Sequence, residues 1–450
     1  MKIIILGAGQ VGITLAEHLC TDHDIYLIDQ DAQQMKKVNQ RLDLQAIESP
    51  AINPEMLDKI AAQNADMIIA VTNIDETNIF SCQLAAKLYN IPTKIARIRS
   101  TYLTSYIDKL KDLEYIDVII DPAQLVTKRI LRKVEHPATF VVLDFVSDSV
   151  QVFSVKINYT CEIMGQSIAE LKAKLSEIPF KLICIIRNGE LISITDNINI
   201  NAHDELYFCS EKTMINNICN IIYGKEIIFK RIIIGGAGNI GTRLATELEN
   251  NYKVKLIDHS KKNVQRASEK LDHTIVLHGD ISDSELLNSE SIEETDLFCS
   301  VTNDDENNMM ACVLAEKTGL KKRTIAIVNK SNYNLLQDSL NIDDLVDPRM
   351  TTVSRIMEHV HRGTIGTVYS LLDGEYEFIE AKILEKSELM NKQIKDSNLP
   401  EDIRIGAIVR KDKVIIPRSN FIFEKDDLVV FLAKREQLKA VESIFSVGSF

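Results

Sequence analysis

Three glycines near the start of the chain have the spacing of a phosphate-binding loop. Gly7, Gly9 and Gly12 form a Gly-x-Gly-x-x-Gly pattern that follows the apolar run KIIIL and opens the helical stretch QVGITLAEHL. In this arrangement the first glycine makes a tight turn, the second lets a pyrophosphate approach the backbone, and the third packs the helix against the strand. The pattern therefore predicts a dinucleotide site between a strand and a helix.

An acidic residue completes the pattern at the end of the next predicted strand. Asp29 follows Gly7 by 22 residues, the distance at which a carboxylate accepts hydrogen bonds from ribose hydroxyls. A second carboxylate, Asp31, lies close by, so a 2′-phosphate would meet repulsion from like charge. The sequence therefore favours NAD over NADP at this site.

The same pattern occurs again, 229 residues further along the chain. Gly236, Gly238 and Gly241 follow the run RIIIG, and Asp258 follows Gly236 by 22 residues. Two lysines at positions 261–262 make the preference of this copy for NAD less clear than in the first copy. For either copy, the alternative is a nucleotide fold that has lost its ligand and is now purely structural.

A Thr-Asn pair ends another predicted strand in each half. Thr72 and Asn73 follow MIIAV, and Thr302 and Asn303 follow LFCSV. The carboxyl ends of the strands form the ligand crevice of an open parallel sheet, so these pairs are candidate ligand contacts. The alternative is that Asn73 and Asn303 cap the helices that follow. Both roles are compatible.

Two arginines distinguish the first half from the second. Arg97 and Arg99, in the predicted strand KIARIRS, fall on one face by the two-residue period of a strand. Two guanidinium groups at a nucleotide crevice would suit additional phosphates. The alternative is a salt bridge between subunits. Ile327 and Asn329 occupy the corresponding positions of the second half, so the two predicted pockets are chemically unequal.

Motifs for common catalytic mechanisms are missing from the sequence. It contains no Tyr-x-x-x-Lys pair, no HExxH, no Walker A pattern and no GxSxG. The eight cysteines include no CxxC pair, so we expect reduced and mostly buried thiols. The cluster at 358–361 (EHVH) is expected to be solvated, and no metal site is predicted. The basic stripe within 128–133 is expected to be a solvated helix face, with a docking face as the alternative.

Self-comparison shows that the chain is a duplication. YLIDQD matches KLIDHS, VTNIDETN matches VTNDDENN, and IDVIIDP matches IDDLVDP. Alternating strands and helices predict an α/β fold: two Rossmann-like doubly wound parallel-sheet domains, each followed by a small α+β module. Asp121-Pro122 and Asp347-Pro348 predict the starts of connecting helices. The predicted parts are a Rossmann domain (1–121), a connecting helix (122–138), an α+β module (139–224), a second Rossmann domain (228–347), a second connecting helix (348–363) and a second α+β module (364–450).

Composition narrows the function further. With 450 residues, 45% of them apolar, the chain is expected to form about three domains or more. The net charge of −13 argues against a nucleic-acid partner, because binding phosphates needs an excess of cations. No signal peptide is expected, since the amino terminus runs directly into a strand, and no apolar stretch approaches the ~20 residues of a membrane span.

The order of these motifs resembles a known family. Tandem GAGxxG–Asp–VTN units, each trailed by a small α+β module, are similar to the potassium-conductance-regulating (RCK, or KTN) domains. Two such pairs in one chain resemble the regulators of Trk-type potassium uptake systems. The resemblance implies a peripheral protein on the cytoplasmic face of the inner membrane, assembled into a ring beneath a separate Trk-type potassium-translocating integral membrane protein. It also implies binding of NAD(H), and in some members ATP or ADP.

The resemblance also implies a set of binding residues in each half. For the first site these are Gly7, Ala8, Gly9, Gln10, Val11, Gly12, Asp29, Thr72, Asn73 and Arg97. For the second site they are Gly236, Ala237, Gly238, Asn239, Ile240, Gly241, Asp258, Thr302 and Asn303. One departure concerns the Gly-Asp that family members often carry after the third strand. The second half has it as Gly279-Asp280, whereas the first half reads QAIESP, so the resemblance defines the phosphate turn of the first pocket but not its adenine-side contacts.

The favoured hypothesis is a non-enzymatic switch in which nucleotide binding changes the conformation of a ring and so regulates the membrane partner. The alternative is an NAD-dependent oxidoreductase, against which the duplication and the lack of an identifiable proton donor argue. A redox-sensing transcription repressor would need a basic recognition module, and none is visible.

Overall fold

The computed structural model describes residues 1–104, 115–320, 322–337, 339–360, 365–372, 374–397, 399–400 and 402–445. The chain divides into two compact units. The parallel-sheet unit comprises Met1–Leu131 and Phe229–Ile356, and the antiparallel-sheet unit comprises Arg132–Ile228 and the described residues of Met357–Phe450. Equivalent parts of the two sequence repeats therefore belong to the same unit. The exact bounds of the six predicted parts stay predictions.

The first repeat begins with a six-stranded parallel sheet in the order β3-β2-β1-β4-β5-β6. Its strands are β1 (Lys2–Leu6), β2 (Asp24–Asp29), β3 (Gln45–Glu48), β4 (Met67–Ala70), β5 (Thr93–Arg97) and β6 (Val118–Ile120). Its helices are α1 (Gln10–Leu19), α2 (Ala32–Arg41), α3 (Pro54–Lys59), α4 (Asp75–Tyr89) and α5 (Thr101–Thr104), with a short 3-10 turn at Ala62–Asn64. The chain order reverses between β1 and β4, which is where such sheets open a ligand crevice.

The strands of this sheet are continuously apolar, which explains why the sheet is buried in the core of its unit. The last four residues of β1, Ile3 to Leu6, are all fully buried, as are Ile68 and Ile69 of β4. Strands that are buried on both faces belong to parallel sheets covered by helices on each side.

A connecting helix and an antiparallel sheet follow. The helix is α6 (Pro122–Glu135), and the sheet has the order β10-β9-β11-β8-β7. Its strands are β7 (Val141–Phe145), β8 (Val150–Lys156), β9 (Phe180–Arg187), β10 (Glu190–Ile192) and β11 (Glu205–Glu211). The helices α7 (Ile168–Lys174) and α8 (Ile215–Tyr223) accompany it, with a 3-10 turn at Lys212–Met214.

The second repeat rebuilds the parallel sheet in the same order, β14-β13-β12-β15-β16-β17. Its strands are β12 (Arg231–Gly235), β13 (Lys253–Asp258), β14 (Ile275–His278), β15 (Leu297–Ser300), β16 (Arg323–Ile327) and β17 (Asp344–Val346). Its helices are α9 (Asn239–Leu248), α10 (Lys261–Ser268), α11 (Ser284–Ser289) and α12 (Asp305–Lys317), with 3-10 segments at Ile292–Glu294 and Ser331–Leu336.

The final part repeats the antiparallel sheet, in the order β18-β19-β22-β20-β21. After the helix α13 (Pro348–Val360), the strands are β18 (Ile365–Leu371), β19 (Tyr376–Lys382), β20 (Arg404–Arg410), β21 (Lys413–Ile415) and β22 (Leu428–Lys434). The helix α14 (Leu438–Phe445) and 3-10 turns at Ile394–Asp396 and Arg435–Gln437 complete it. The two antiparallel sheets share one apolar cluster, in which Tyr207 stacks on Phe378 with ring centroids 5.7 Å apart. The predicted fold class is thus confirmed.

Both connecting helices begin where the sequence predicts. Asp121 Oδ1 accepts a hydrogen bond from Gln124 N at 3.1 Å, and Asp347 Oδ1 accepts one from Arg349 N at 2.8 Å. A capping carboxylate followed by proline fixes the start of each helix, because it satisfies an amide that has no intrahelical acceptor.

The basic stripe on α6 is solvated only in part. Lys128 and Arg129 are exposed, as expected. The prediction is wrong for the last turn, where Lys133 is buried and donates to Phe140 O, and Arg132 pairs with the buried carboxylate of Asp144. These two cations are less solvated than expected because they bind acceptors in the following strand and in the residue just before it.

The expected solvation of the 358–361 cluster is also wrong where the structure describes it. Glu358 and His359 are both buried, whereas His361 lies outside the described residues. Within the described ranges, no group of three or more histidine, cysteine, aspartate or glutamate side chains is placed to hold a metal ion. All eight cysteines are free, and seven of them are buried.

Candidate nucleotide-binding sites

Backbone crowding requires glycine at two positions of the first glycine loop. Gly7 has φ +103°, and a Cβ there would lie 2.9 Å from both Cα and N of Thr72. A Cβ on Gly12 would lie 1.9 Å from the carbonyl oxygen of Gly7. The loop, the first helix and the end of β4 therefore pack backbone against backbone, which is the role that the sequence assigns to these glycines.

The middle glycine of each loop faces open space instead. No described atom lies within 4 Å of the Cβ that Gly9 or Gly238 would carry. Each of these glycines is the N-cap of its helix, and no side chain of the described residues caps it. The first-turn N–H groups of a helix have no intrahelical acceptor and carry the positive end of its dipole. Such a cradle fits a phosphate group.

The predicted ribose carboxylate holds the glycine loop in place. Asp29 Oδ2 accepts a hydrogen bond from Ala8 N at 2.7 Å, and Oδ1 accepts one from Asp31 N at 3.0 Å. In the second half, Asp258 Oδ2 accepts from Ala237 N at 2.7 Å. Each carboxylate thus lies directly beside the loop and at the end of the second strand, where a ribose of a bound dinucleotide would lie.

The capping alternative for the Thr-Asn pairs is wrong. Helix α4 begins after Ile74, and helix α12 is capped by Asp304, whose carboxylate accepts from Asn307 N at 2.9 Å. Asn73 and Asn303 are both exposed at the crevice edge beyond β4 and β15. Their side chains are therefore not consumed by the helix starts.

A buried asparagine, which is not among the predicted site residues, holds this edge of the crevice through hydrogen bonds. Asn78 is fully buried, and its Oδ1 accepts from Thr72 N at 2.9 Å and from Thr72 Oγ1 at 2.7 Å. Its Nδ2 donates to Thr72 O at 3.2 Å and to Arg97 O at 2.8 Å. Asn308 makes the equivalent four bonds to Thr302 and Ile327. The signal was present in the sequence, because both asparagines end the repeated motif VTNxDExN.

Arg97 reaches the same edge from β5. Its Nη2 donates to Thr72 O at 3.0 Å and lies 3.4 Å from Asn73 Oδ1. Its Nε is buried and meets no acceptor among the described residues. Burial, followed by repulsion from Arg99, lowers the pKa of Arg97 to about 10, which leaves the guanidinium charged at neutral pH. A buried cationic donor without an acceptor fits an anionic ligand.

Arg99 has a partner within its own domain. Its Nη2 donates to Asn73 O, and its Nε lies 3.9 Å from a carboxylate oxygen of Asp75. In the second half, Asn329 takes this place and donates to Asp305 from both its backbone and its side chain, at 2.8 and 2.9 Å. No arginine side chain corresponds to Arg97 in the second half, because position 327 is isoleucine.

The first half lacks the Gly-Asp pair, but it keeps the backbone hydrogen bond that the glycine of this pair makes in the second half. Ser49 N donates to Asp29 O at 2.9 Å, and Gly279 N donates to Asp258 O at 3.0 Å. Asp280 binds its own turn, since Oδ1 accepts from Ser282 N and Oγ, and these bonds lower the pKa of Asp280. The departure therefore changes side-chain chemistry at this corner and not the path of the chain.

These features define a class: a tandem Rossmann-type protein with a glycine-loop crevice in each half. The TrkA-N domain model matches residues 3–122 and again residues 232–348, and the TrkA-C domain model matches residues 378–446. The chain belongs to the TrkA family of Trk system potassium uptake proteins, as the resemblance in the sequence predicts.

Relatives match over the full length. The Trk system potassium uptake protein TrkA of Halomonas elongata is 38% identical and is aligned over 100% of this chain and 99% of its own length. The proteins of that name from Vibrio alginolyticus and Haemophilus influenzae are 37% and 35% identical, with 100% of each chain covered. The duplication is thus shared with whole proteins and not only with single domains.

Solved structures share the fold. The GsuK RCK domain has a TM-score of 0.62 at 17% identity, covering 99% of this chain and 95% of that chain. The GsuK channel bound to NAD has a TM-score of 0.62 at 17% identity, covering 99% of this chain and 79% of that chain. Within the described part of this chain, no helix has the length and apolar character needed to span a membrane.

Proposed function

We propose that the chain is the nucleotide-binding regulatory subunit of a Trk-type potassium uptake system. It binds NAD(H), and in addition ATP or ADP, in its glycine-loop crevices, and the occupied crevices bias the conformation of a partner potassium-translocating membrane protein. The observation that carries the proposal is the pair of crevices: each has an open glycine cradle at a helix start beside a carboxylate at the end of the second strand.

The donor set of the first crevice supports an adenine nucleotide. The cradle at Gly9 and the first-turn amides of α1 suit a pyrophosphate, Asp29 keeps acceptor capacity for ribose hydroxyls, and the Nε of Arg97 suits a further phosphate oxygen. When bound, the nucleotide supplies negative charge and ribose hydroxyls, and no bond in it is broken. The second crevice offers an equivalent cradle at Gly238 and a carboxylate at Asp258.

Relatives and neighbours support the biological assignment. The full-length relatives are named as Trk system potassium uptake proteins. Among proteins of the same fold, GsuK has been solved bound to NAD and bound to ADP. The proposed partner is therefore a Trk-type integral membrane protein, with this chain forming a ring by self-association at the cytoplasmic face of the inner membrane.

A nucleotide regulates such an assembly only through a difference in affinity. The ligand shifts a conformational equilibrium by no more than the free energy by which it prefers one state. Coupling between sites is typically about 1–3 kcal/mol, and several sites in a symmetric ring multiply the effect. Binding energy alone is sufficient for this role, without any catalytic group.

Co-purification tests the partner. The tagged full chain is isolated from membranes with and without NADH or ATP, and the proteins retained are identified. We expect a potassium-translocating membrane protein whose recovery depends on the nucleotide. Recovery of no membrane transporter under any of these conditions would contradict the proposal. Turnover of NADH with a small metabolite, followed at 340 nm, would instead support the oxidoreductase.

A further inference from the structure

We propose that Asn263 restricts the second crevice, so that it binds NADH more weakly than the first crevice does. This inference rests on the proposed function, since it specifies how the two candidate sites share one ligand. It is carried by a difference between the two carboxylates: a side-chain amide contacts Asp258, whereas Asp29 accepts only backbone N–H groups of the described residues.

The carboxylate of Asp258 is surrounded by donors from its own domain. Oδ2 accepts from Ala237 N and Oδ1 accepts from Ser260 N, both at 2.7 Å. The side-chain amide of Asn263 then lies 3.2 Å from Oδ2 and 3.4 Å from Oδ1. A carboxylate offers about four acceptor positions. Since the Asp258 side chain is only 6% exposed, little capacity is left for a ribose.

Asp29 keeps capacity that Asp258 has lost. Ala8 N and Asp31 N are the only donors to the side-chain carboxylate of Asp29 from the described part of the chain. The residue equivalent to Asn263 is Gln34, whose longer side chain donates to Ala8 O at 2.7 Å and so bypasses the carboxylate. About two acceptor positions therefore stay available at Asp29, which is half-buried.

A ribose at the second crevice has to displace the amide of Asn263 before it can bind Asp258. The two bonds of that amide are long, so they reduce affinity and do not abolish it. A hydrogen bond to a charged group is worth about a factor of ten or more in an equilibrium constant. The second crevice also has Ile327 where the first has Arg97, so a phosphate gains no compensating contact there.

Exchanging the two residues tests the proposal directly. NADH is titrated calorimetrically into the full-length parent, into Asn263→Gln and into Gln34→Asn. We expect two classes of site in the parent that differ by about tenfold or more in affinity. Asn263→Gln should tighten the weaker class by about tenfold, and Gln34→Asn should weaken the stronger class. Adding Asp258→Ala to Asn263→Gln should remove the gain, which assigns it to the second crevice.

Control variants separate this role from a loss of folding. Gln265→Ala alters an exposed side chain on the same helix, which contacts Glu269, and should leave both classes unchanged. Asn263→Ala removes the donor by a second route and should also tighten the weaker class, with a melting temperature close to that of the parent.

Two results would overturn the role of Asn263 while leaving the proposed function standing: equal affinities in the parent, or a weaker class that neither Asn263 variant tightens. If the parent bound no NADH, the proposed function itself would be contradicted.

Discussion

Arg243 joins the two sequence repeats through a nearly buried ion pair. Its Nη1 donates to Asp121 Oδ2 at 2.7 Å, and the side chains are 27% and 5% exposed. Arg243 lies in the first helix after the second glycine loop, whereas Asp121 caps the connecting helix of the first repeat. The ion pair therefore joins the helix that follows the second glycine loop to the start of the connecting helix of the first repeat.

Removing this ion pair should weaken the parallel-sheet unit. Arg243→Ala leaves the carboxylate of Asp121 buried without its cation. Because Arg243 itself is partly exposed, we expect the free energy of unfolding to fall by about 2 kcal/mol, less than for a fully buried pair, or roughly 4–8 °C in Tm. Thr14→Ala, at the equivalent position of α1, is the matched control and should melt close to the parent. Calorimetric melting that places Arg243→Ala with the control would show that the pair contributes nothing.

Asn78 should contribute more to stability than a polar residue in a helix usually does. Asn78→Ala removes the acceptor of Thr72 N and Oγ1 and the donor to two carbonyls, so we expect a loss of about 2–4 kcal/mol in stability. Thr77→Ala, one residue earlier, should have little effect. Thermal melting of the two variants checks this, and equal stability would contradict the bridging role of Asn78.

The repeated sequence made much of this predictable. The glycine loops, Asp29, Asp258 and the two capping aspartates stand in both halves with fixed spacing, and their roles follow from local backbone geometry. The bridging by Asn78 was harder to predict, since a polar residue inside a helix is usually solvated and one of its acceptors, Arg97 O, comes from the following strand. The Arg243–Asp121 pair was not predictable, because the second half has no copy of it.

Burial by later segments explains the wrong expectations. Helix periodicity alone predicts that Lys133 belongs to a solvated stripe. In the structure Lys133 donates to the carbonyl oxygen of Phe140, which lies in the following segment. Arg132 was assigned to the same solvated stripe, but the buried carboxylate of Asp144 lies beside it. Tertiary acceptors of this kind leave no local trace in the sequence.

Substitution by alanine should lower the stability of the protein at Gly12 but not at Gly9. Gly12→Ala forces a Cβ to within 1.9 Å of Gly7 O, so the loop has to move and stability should fall markedly. Gly9→Ala places its methyl group in open space at an ordinary φ of −70°, so stability should be unchanged. Melting curves of both variants make the comparison. Comparable destabilisation by the two would mean that the space above Gly9 is not free.

Arg97 should increase the affinity of the first crevice for ligands that carry phosphate groups. Arg97→Gln removes the unpartnered Nε donor, and we expect ADP binding to weaken by about tenfold. Arg97→Lys keeps the charge without the forked geometry and should recover part of the affinity. Calorimetric titration with ADP measures both. An unchanged affinity in a folded Arg97→Gln protein would remove this residue from the candidate site.

The antiparallel-sheet unit should lose stability in mild acid through His136. Its ring is buried, with Nδ1 3.0 Å from Asn216 Oδ1, and burial lowers its pKa below the usual 6.5. Because the unfolded chain takes up the proton first, the stabilisation is present above pH 6.5 and is lost as the pH falls towards the folded pKa. Tm between pH 7.5 and 5.5 should therefore fall less in His136→Gln than in the parent. A parallel decline in both proteins would contradict the assignment, and His18→Gln, an exposed site, is the control.

Calorimetric titration of the purified full chain with NADH and ADP tests the central claim most directly. The account predicts saturable binding of at least one nucleotide per chain, weakened at least tenfold by Gly9→Ala in a protein that melts like the parent. A folded parent that gives no binding heat with NADH, ADP or ATP would contradict it.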